Sequence, residues 1–167
     1  MRRVLKAKGA SFVAVSEPSE ARGEIARACG ADLVLNPIGT DVPAAVKAAN
    51  GGRGVHVAID CAGTQRTLDA AVAATGVQGR IVEVALMDGR FALDVSAFLF
   101  LERTFTGSCC FRTQDLADVL VALGEGRIKV DDLVTARIAL KDVVGKGLKA
   151  LREEVHHVKI LVDLSLE

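Results

Sequence analysis

The sequence contains no tryptophan and no tyrosine, and it has only six phenylalanines in 167 residues. Since half of its residues are nevertheless apolar, the core has to be built from valine, alanine, leucine and isoleucine. Small and β-branched side chains of this kind suit parallel strands that are covered on both faces by alanine-rich helices. The length corresponds to about one domain with a sizeable core.

Charge of one sign and long apolar runs are also missing. Lys+Arg and Asp+Glu each number 21, so the formal net charge is zero, and no basic cluster indicates a nucleic-acid partner. No apolar run approaches the roughly 18 residues that a membrane span needs. The opening "MRRVLKAKGA" lacks the apolar core and cleavage site of a signal peptide. We therefore expect neither a nucleic-acid nor a membrane partner.

The four cysteines lack the C-x-x-C spacing of a zinc site, and they stand at Cys29, Cys61, Cys109 and Cys110. A reduced, cytoplasmic protein is the simplest interpretation. The vicinal pair could indicate redox chemistry or a metal, but we expect it to pack as small core residues.

Short apolar runs alternate with helical periodicity along most of the chain. Strands are predicted in "SFVAVS", "DLVLNP", "GVHVAIDCAG" and "GRIVEVAL", with a fifth around Thr104 to Cys109. Helices are predicted in "PSEARGEIARACGA", "DVPAAVKAANG", "TQRTLDAAVAATGV" and "TQDLADVLVALGEG", the last with Leu116, Val119, Leu120 and Leu123 on one side. This alternation indicates an α/β fold with a doubly wound parallel, Rossmann-type sheet.

The end of the chain has a different pattern. "VTARIAL", "KDVVGKGLKALRE" and "HVKILVDL" are predicted as strand, helix and strand, with no obvious place in the parallel order. We therefore divide the chain into a Rossmann domain over residues 1–133 and a C-terminal segment over residues 134–167.

Glu17 stands at the tip of the first predicted strand, with Pro18 ending the strand and Ser19 capping the next helix. In a dinucleotide-binding half, an acid at the end of the second strand accepts hydrogen bonds from the ribose hydroxyls and so favours NAD over NADP. An acid at a helix start is also favourable by itself, so position alone leaves both interpretations open.

The glycine fingerprint that should stand about 20 residues before such an acid cannot be present, because only 16 residues precede Glu17. A G-x-G-x-x-A does occur at Gly145, Gly147 and Ala150, but inside a helical pattern, and we interpret it as a chance match. "GGRG" at Gly51 to Gly54 is predicted to be a turn.

The whole chain resembles the C-terminal part of the zinc-dependent medium-chain alcohol and polyol dehydrogenases, closest to the butanediol, sorbitol and threonine dehydrogenase branch. The similarity lies in "SEPSEAR", "GADLVLNP", "GGRGVHVAIDCAG", "GRIVEVAL", "FTGSCCF", "LVTARIAL" and "HVKILV", in family order. It implies an NAD-dependent oxidoreductase that transfers a hydride from a secondary alcohol, with zinc bound by residues that are not in this stretch.

The resemblance also implies the residues that bind the cofactor. Glu17 would hold the adenosine ribose, Arg22 would lie against the adenine or its ribose, and "CAG" would pass beside the adenosine half. Val84 to Leu86 and the backbone near the vicinal cysteines would approach the nicotinamide, although Ala85 stands where the family often has glycine. The set is Glu17, Arg22, Cys61, Ala62, Gly63, Val84, Ala85, Leu86, Cys109 and Cys110.

Several family features are not in this sequence, namely the catalytic domain with its zinc ligands, the first Rossmann strand and the glycine-rich loop. We therefore expect a sheet that lacks its first strand, weak binding of NAD if any, and no activity of this stretch alone. The gap could close by direct pairing of the strands on either side of it, or by insertion of the tail or of another chain. A homodimer is expected through the edge strand at Arg103–Cys109.

The sequence leaves the roles of several residues undecided, and it allows two alternative functions. His156 and His157 could bind a metal, but neighbours on a strand point to opposite faces. We place the two histidines in the loop or the first turn of the last strand. Asp60 is expected to orient a loop, and Glu83 has no role in our account. A non-catalytic nucleotide-binding or dimerisation module is an alternative function. A zinc-free quinone reductase is another, although that branch prefers NADPH and Glu17 argues against it.

Overall fold

The computed structural model describes residues 2–154 and 156–166. The chain divides into two compact units. The first holds the described residues up to Asn36 together with those from Thr113 onward, and the second is Pro37–Arg112. In both units every paired strand runs parallel to its neighbour, so the expected parallel α/β class is confirmed.

Helices and strands alternate as the sequence predicts. The α-helices are α1 Arg2–Ala7, α2 Glu20–Ala28, α3 Val42–Ala49, α4 Gln65–Ala74, α5 Val95–Leu99, α6 Thr113–Gly124 and α7 Ala150–Glu153. The strands are β1 Ala14–Ser16, β2 Leu33–Leu35, β3 Val55–Asp60, β4 Thr75–Glu83, β5 Thr104–Gly107, β6 Val134–Ile138 and β7 Lys159–Val162. No helix in the described part of the chain has both the length and the apolar character needed to cross a membrane.

Four of the described helices begin at side-chain caps, among them α5, where Asp94 accepts a hydrogen bond from the Ser96 amide at 2.9 Å. Ser19 accepts a hydrogen bond from the Arg22 amide at 3.4 Å, and Asp41 accepts one from the Ala44 amide at 3.0 Å. Thr64 and Thr67 form a reciprocal capping box at the start of α4. Each cap satisfies an amide that the helix itself leaves without a partner, which fixes where the chain turns from strand to helix.

The second unit contains a three-stranded sheet in the order β3-β4-β5. Asp60 is opposite Glu83, and Glu83 is opposite Gly107, so the three strands end at the same level. Leu68 of α4 and Ile81 of β4 are almost completely buried in this unit and form its core. The loops that leave the three strands therefore start from one edge of the sheet.

Strand β4 begins earlier than predicted. The helix was expected to run to Val77, but it ends at Ala74, and Thr75 already pairs with Val55. The register then shifts before Val57 meets Arg80. Gly76 lies so close to the Arg53 carbonyl that a Cβ there would be 2.4 Å from the oxygen. Close backbone packing at this glycine therefore overrides the helical pattern.

The first unit contains two smaller sheets. Strands β1 and β2 pair with each other, and the ladder continues where the Glu17 amide donates to the Leu35 carbonyl at 2.9 Å. Strands β6 and β7 also pair with each other. Within the described residues of this unit, β1 pairs with no strand other than β2.

The segment "KDVVGKGLKALRE", predicted as one helix, forms three short helical elements of different type. A 3₁₀ turn at Leu140–Asp142 leads into a π-helix at Val143–Lys149 and then into α7. Gly147 is buried against Ile138, whose Cδ1 would be 3.1 Å from an added Cβ. Since the G-x-G-x-x-A match lies inside this helical segment, its interpretation as a chance match is confirmed.

Helix α6 forms as predicted, but its apolar side is not buried within the described chain. Leu116, Val119 and Leu120 are all exposed, and Ala122 is the buried residue of this helix.

Candidate functional site

In the first unit, the end of β1 carries the acid that the sequence singled out. Glu17 Oε1 accepts two hydrogen bonds, one from the Ser19 amide at 2.9 Å and one from Arg22 Nη2 at 2.8 Å. The Arg22 guanidinium therefore forms an ion pair with the acid five residues before it. The predicted cofactor-binding residues Glu17 and Arg22 are therefore in direct contact with each other.

Opposing effects set the charge of Glu17. Partial burial raises the pKa of its carboxyl, but the hydrogen bonds from Arg22 and the Ser19 amide, with the guanidinium charge, outweigh it and lower the pKa below its ordinary value. The same contact raises the pKa of Arg22. Glu17 is therefore a carboxylate at neutral pH.

The second oxygen of this carboxylate is available to a ligand. Among the described residues Oε2 accepts no hydrogen bond, while about a fifth of the side chain is exposed. A carboxylate that is fixed through one oxygen and open at the other can accept hydrogen bonds from a hydroxyl or a vicinal diol.

In the second unit, Asp60 organises the loop that follows β3. Its Oδ1 accepts the amides of Ala62 at 2.9 Å and Gly63 at 3.3 Å, and its Oδ2 accepts the Thr67 hydroxyl at 2.8 Å. Since Asp60 is buried and both of its oxygens are satisfied, it holds the loop and the start of α4 together. The expectation that Asp60 orients a loop is confirmed.

Gly63 brings this loop against the segment after β4. Its φ is +68°, and a Cβ there would be 2.9 Å from the Ala85 Cβ and 3.3 Å from the Leu86 carbonyl oxygen. Only glycine combines this conformation with so close an approach. The predicted residues of the two loops, Cys61–Gly63 and Val84–Leu86, are therefore brought together within this unit.

Glu83, for which sequence reasoning had no role, positions the second loop. Its Oε1 accepts the Ala85 amide at 2.8 Å, and its backbone carbonyl accepts the Ser108 amide at 2.8 Å. Its Oε2 is buried and has no partner among the described residues. The signal in the sequence was an acid that ends an apolar strand and precedes small residues, the same pattern as at Asp60.

Two cysteines of the predicted site, Cys61 and Cys110, have thiols whose pKa is raised. Although Cys61 is exposed overall, desolvation of its sulfur and the charge of Asp60 raise the pKa of its thiol. Cys109 and Cys110 have sulfurs 3.5 Å apart, and this contact raises the pKa of Cys110. Both are exposed, so the expectation that they pack as core residues is wrong. The reason is their place in the loop beyond the end of β5.

Two large apolar side chains that follow β4 and β5 are exposed. Leu86 is 93% exposed and Phe111 is 72% exposed. None of the predicted cofactor-binding residues joins a group of three potential metal ligands within the described chain. The one such group is Glu154, His156 and His157, at the other end of the sequence.

Comparison with known proteins places these features in a family. The family model described as zinc-binding dehydrogenase matches residues 2–125. The chain is 33% identical over 168 residues to (R,R)-butanediol dehydrogenase of Neisseria gonorrhoeae, covering 98% of this chain and 46% of that protein. It is 32% identical over 153 residues to L-threonine 3-dehydrogenase of Pyrococcus furiosus, covering 89% and 43%.

A solved structure agrees with the sequence comparison. The crystal structure of 2R,3R-butanediol dehydrogenase from Bacillus subtilis matches with a TM-score of 0.90 at 33% identity, over 96% of this chain and 46% of that one. The chain thus spans about half the length of the relatives that it matches, and it corresponds to their C-terminal part.

Proposed function

We propose, since this chain belongs to the zinc-binding dehydrogenase family, that its residues form the NAD-binding part of an alcohol or polyol dehydrogenase. The reaction of the whole protein would be hydride transfer between a secondary alcohol and the nicotinamide. The observation that carries this proposal is Glu17, an ionised acid at the carboxyl end of a parallel strand with one oxygen open to a ligand.

Glu17 would select the cofactor. Its open oxygen would accept hydrogen bonds from the hydroxyls of the adenosine ribose, and its negative charge would repel the 2′-phosphate of NADP. Arg22 would keep the acid ionised and oriented through the 2.8 Å contact, with its guanidinium beside the adenosine.

The loops of the second unit carry the other predicted cofactor-binding residues. Asp60 and Glu83 fix the backbone of Cys61–Gly63 and of Val84–Leu86 through three amide hydrogen bonds, so these loops need no reorganisation to bind. The backbone at Cys109 and Cys110 would approach the nicotinamide. NAD, when bound, supplies the hydride acceptor.

The zinc that the family name implies finds no ligands at this site. The family's zinc polarises the alcohol oxygen, yet the predicted cofactor-binding residues contain no group of three potential ligands in the described chain. The 167 residues by themselves are therefore expected to bind NAD weakly and to have no dehydrogenase activity. A reducing, cytoplasmic location stays a prediction that rests on the cysteine pattern of the sequence.

The test is a titration of the purified chain with NADH, followed by nicotinamide fluorescence. The absence of Trp and Tyr keeps the protein background low. We expect saturable binding that NAD and AMP compete for and NADPH does not, and a loss of about 10- to 100-fold in affinity for Glu17→Gln.

The matched control is Glu20→Gln, which removes an exposed acid in the first turn of the same helix. This variant should bind NADH as the parent chain does. Binding that both variants weaken equally would contradict the assignment of Glu17, whereas absent binding would mean that these 167 residues alone do not form the site. Tighter binding of NADPH than of NADH would instead favour the quinone reductase alternative.

We also propose a homodimer through β5, the last strand in the order β3-β4-β5. Its outer edge is not paired within the described chain, and such an edge favours pairing with a second copy across a twofold axis. Sedimentation should show a dimer, and Thr104→Lys should shift it towards the monomer because like charges then meet at the axis. A parent chain that is monomeric at high concentration would contradict this proposal.

A further inference from the structure

We propose that Glu154, His156 and His157 form a binding site for one divalent transition-metal ion of the zinc class, with Thr135 as the residue that orients His157. The three side chains each offer one ligand atom, and these atoms lie within 4.8 Å of one another. None of the three belongs to the proposed cofactor site, so this inference is independent of the NAD-binding function.

The local backbone explains how two adjacent histidines reach the same side. Helix α7 ends at Glu153, β7 begins only at Lys159, and the His157 amide donates to the Glu154 carbonyl at 3.4 Å. The histidines therefore lie in a turn, where the alternation of a strand does not apply. Their ring centroids are 4.2 Å apart. Their placement before the last strand is confirmed, but the argument that they point apart is wrong.

The distances between the Glu154 carboxylate and the two imidazole rings match the separation of two ligands on one metal ion. They are too long for charge-assisted hydrogen bonds. Glu154 Oε2 lies 3.5 Å from His156 Nε2 and 3.4 Å from His157 Nε2. Charge-assisted hydrogen bonds between such atoms are shorter, about 2.7–2.9 Å. Ligands at about 2.0–2.2 Å from a tetrahedral zinc are separated by roughly 3.3–3.6 Å. A metal ion thus fits between the carboxylate and each ring with little movement.

The hydrogen bonds of Thr135 determine the tautomer of His157. The tautomer in turn decides which ring nitrogen presents a lone pair to the Glu154 carboxylate. The Thr135 hydroxyl donates to the Lys159 carbonyl at 3.1 Å, so it accepts from His157 Nδ1 at 3.1 Å. With the proton on Nδ1, neutral His157 presents the Nε2 lone pair to Glu154. Metal-bound histidines have this arrangement, in which the second nitrogen donates to a fixed partner.

Two acceptors that face each other are favourable ligands for a cation between them. The His157 lone pair and the Glu154 carboxylate both point at that position, and His156 adds a third donor atom. Imidazole and carboxylate ligands together suit zinc, nickel and copper. His157 is largely buried, whereas His156 and Glu154 are more than half exposed, so water can complete the coordination.

A bound ion would join the end of α7 to the start of β7. Binding to the folded chain alone raises the free energy of unfolding by about 2.7 kcal/mol at an ion concentration 100 times the dissociation constant. The expected consequence is a C-terminal segment that is more stable in the presence of the metal.

The experiment is a calorimetric titration of the chelator-treated chain with zinc chloride, with the melting temperature measured in parallel. We expect one ion per chain, a higher melting temperature, and at least a 10-fold loss of affinity for His156→Ala and for His157→Ala. The matched control is His56→Ala, which removes the third histidine of the chain, an exposed residue on β3. It should bind zinc as the parent does.

The role of Thr135 is tested by conservative replacement. Thr135→Val should weaken zinc binding about 10-fold or more, and Thr135→Ser, which keeps the hydroxyl, should restore it. Equal affinities for the two variants would overturn the positioning role.

The absorption spectrum of the cobalt-loaded chain distinguishes histidine and carboxylate ligands from cysteine thiolates. The cobalt-loaded chain should show a tetrahedral spectrum without the thiolate charge-transfer band that Cys109 or Cys110 would produce. The site is refuted if zinc does not bind saturably, if the double variant His156→Ala/His157→Ala binds it unchanged, or if the thiolate band appears. Glu154→Gln changes an exposed side chain, so it should weaken zinc binding without affecting folding.

Discussion

The ends of β3 and β4 carry two buried acids that are opposite each other and yet are bonded very differently. The side-chain oxygens of Asp60 together accept three hydrogen bonds. The side chain of Glu83 accepts one through Oε1, and its Oε2 is buried without a partner among the described residues. Asp60 is thus part of a completed network, and Glu83 is part of an incomplete one. Buried polar networks stabilise only when each member is satisfied.

The largest effect is expected for Asp60→Ala. It leaves the Ala62 and Gly63 amides and the Thr67 hydroxyl without their acceptor, and we expect a loss of about 2–4 kcal/mol in the free energy of unfolding. Urea denaturation followed by circular dichroism measures it. Asp69→Ala, at an exposed position of α4, is the control and should cost much less. Equal losses for the two variants would show that the Asp60 network does not hold the loop.

Gly63→Ala tests the loop that Asp60 holds. The left-handed φ and the 2.9 Å approach to the Ala85 Cβ predict a loss of about 1–3 kcal/mol. Ala85→Gly should restore the part that comes from the steric contact but not the part that comes from φ. Thermal melts of the two single variants and the double variant separate these contributions. Strict additivity of the two changes would contradict the contact.

Glu83→Leu should have the opposite sign to Asp60→Ala. Replacing a buried carboxylate that has an unpaired oxygen by an apolar side chain of similar size removes a desolvation cost, and we expect a gain of about 1 kcal/mol. The melting temperature measures it. A loss as large as that of Asp60→Ala would mean that the single bond to the Ala85 amide outweighs the buried oxygen, and the contrast between the two acids would fail.

The smallest effect concerns Glu17, the partly exposed acid of the first unit. Since its pKa is lowered in the folded chain, its contribution to stability is present above the ordinary carboxyl pKa and is lost as the pH falls through the lowered value. Glu17→Gln should therefore flatten the acid side of the stability profile slightly, and Glu20→Gln should not. Identical profiles for parent and Glu17→Gln would contradict the ion pair with Arg22.

The sequence alone was sufficient for the order and type of most elements and for the family. Ser19 caps a helix where predicted, because a cap is a local pattern of a few residues. It also located Glu17 at a strand end and Asp60 before a loop, since both stand where an apolar run stops.

Other features depend on contacts that no local pattern contains. Thr75 joins a strand because Gly76 packs against the Arg53 carbonyl, more than 20 residues away in the chain. The apolar residues of α6 have helical spacing, which the sequence shows. Whether they are buried depends on which residues pack against the helix, and in the described chain they are exposed.

The sequence by itself therefore determined the parallel α/β class, the family and the strand-end acids, because periodicity, capping and apolar runs act over a few neighbouring residues. Only the tertiary structure decided that Asp60 is fully bonded and Glu83 is not, and that Gly63 touches Ala85. It also decided that Glu154, His156 and His157 converge, because a turn closed by a backbone hydrogen bond and a threonine on β6 orient side chains that a strand would have separated.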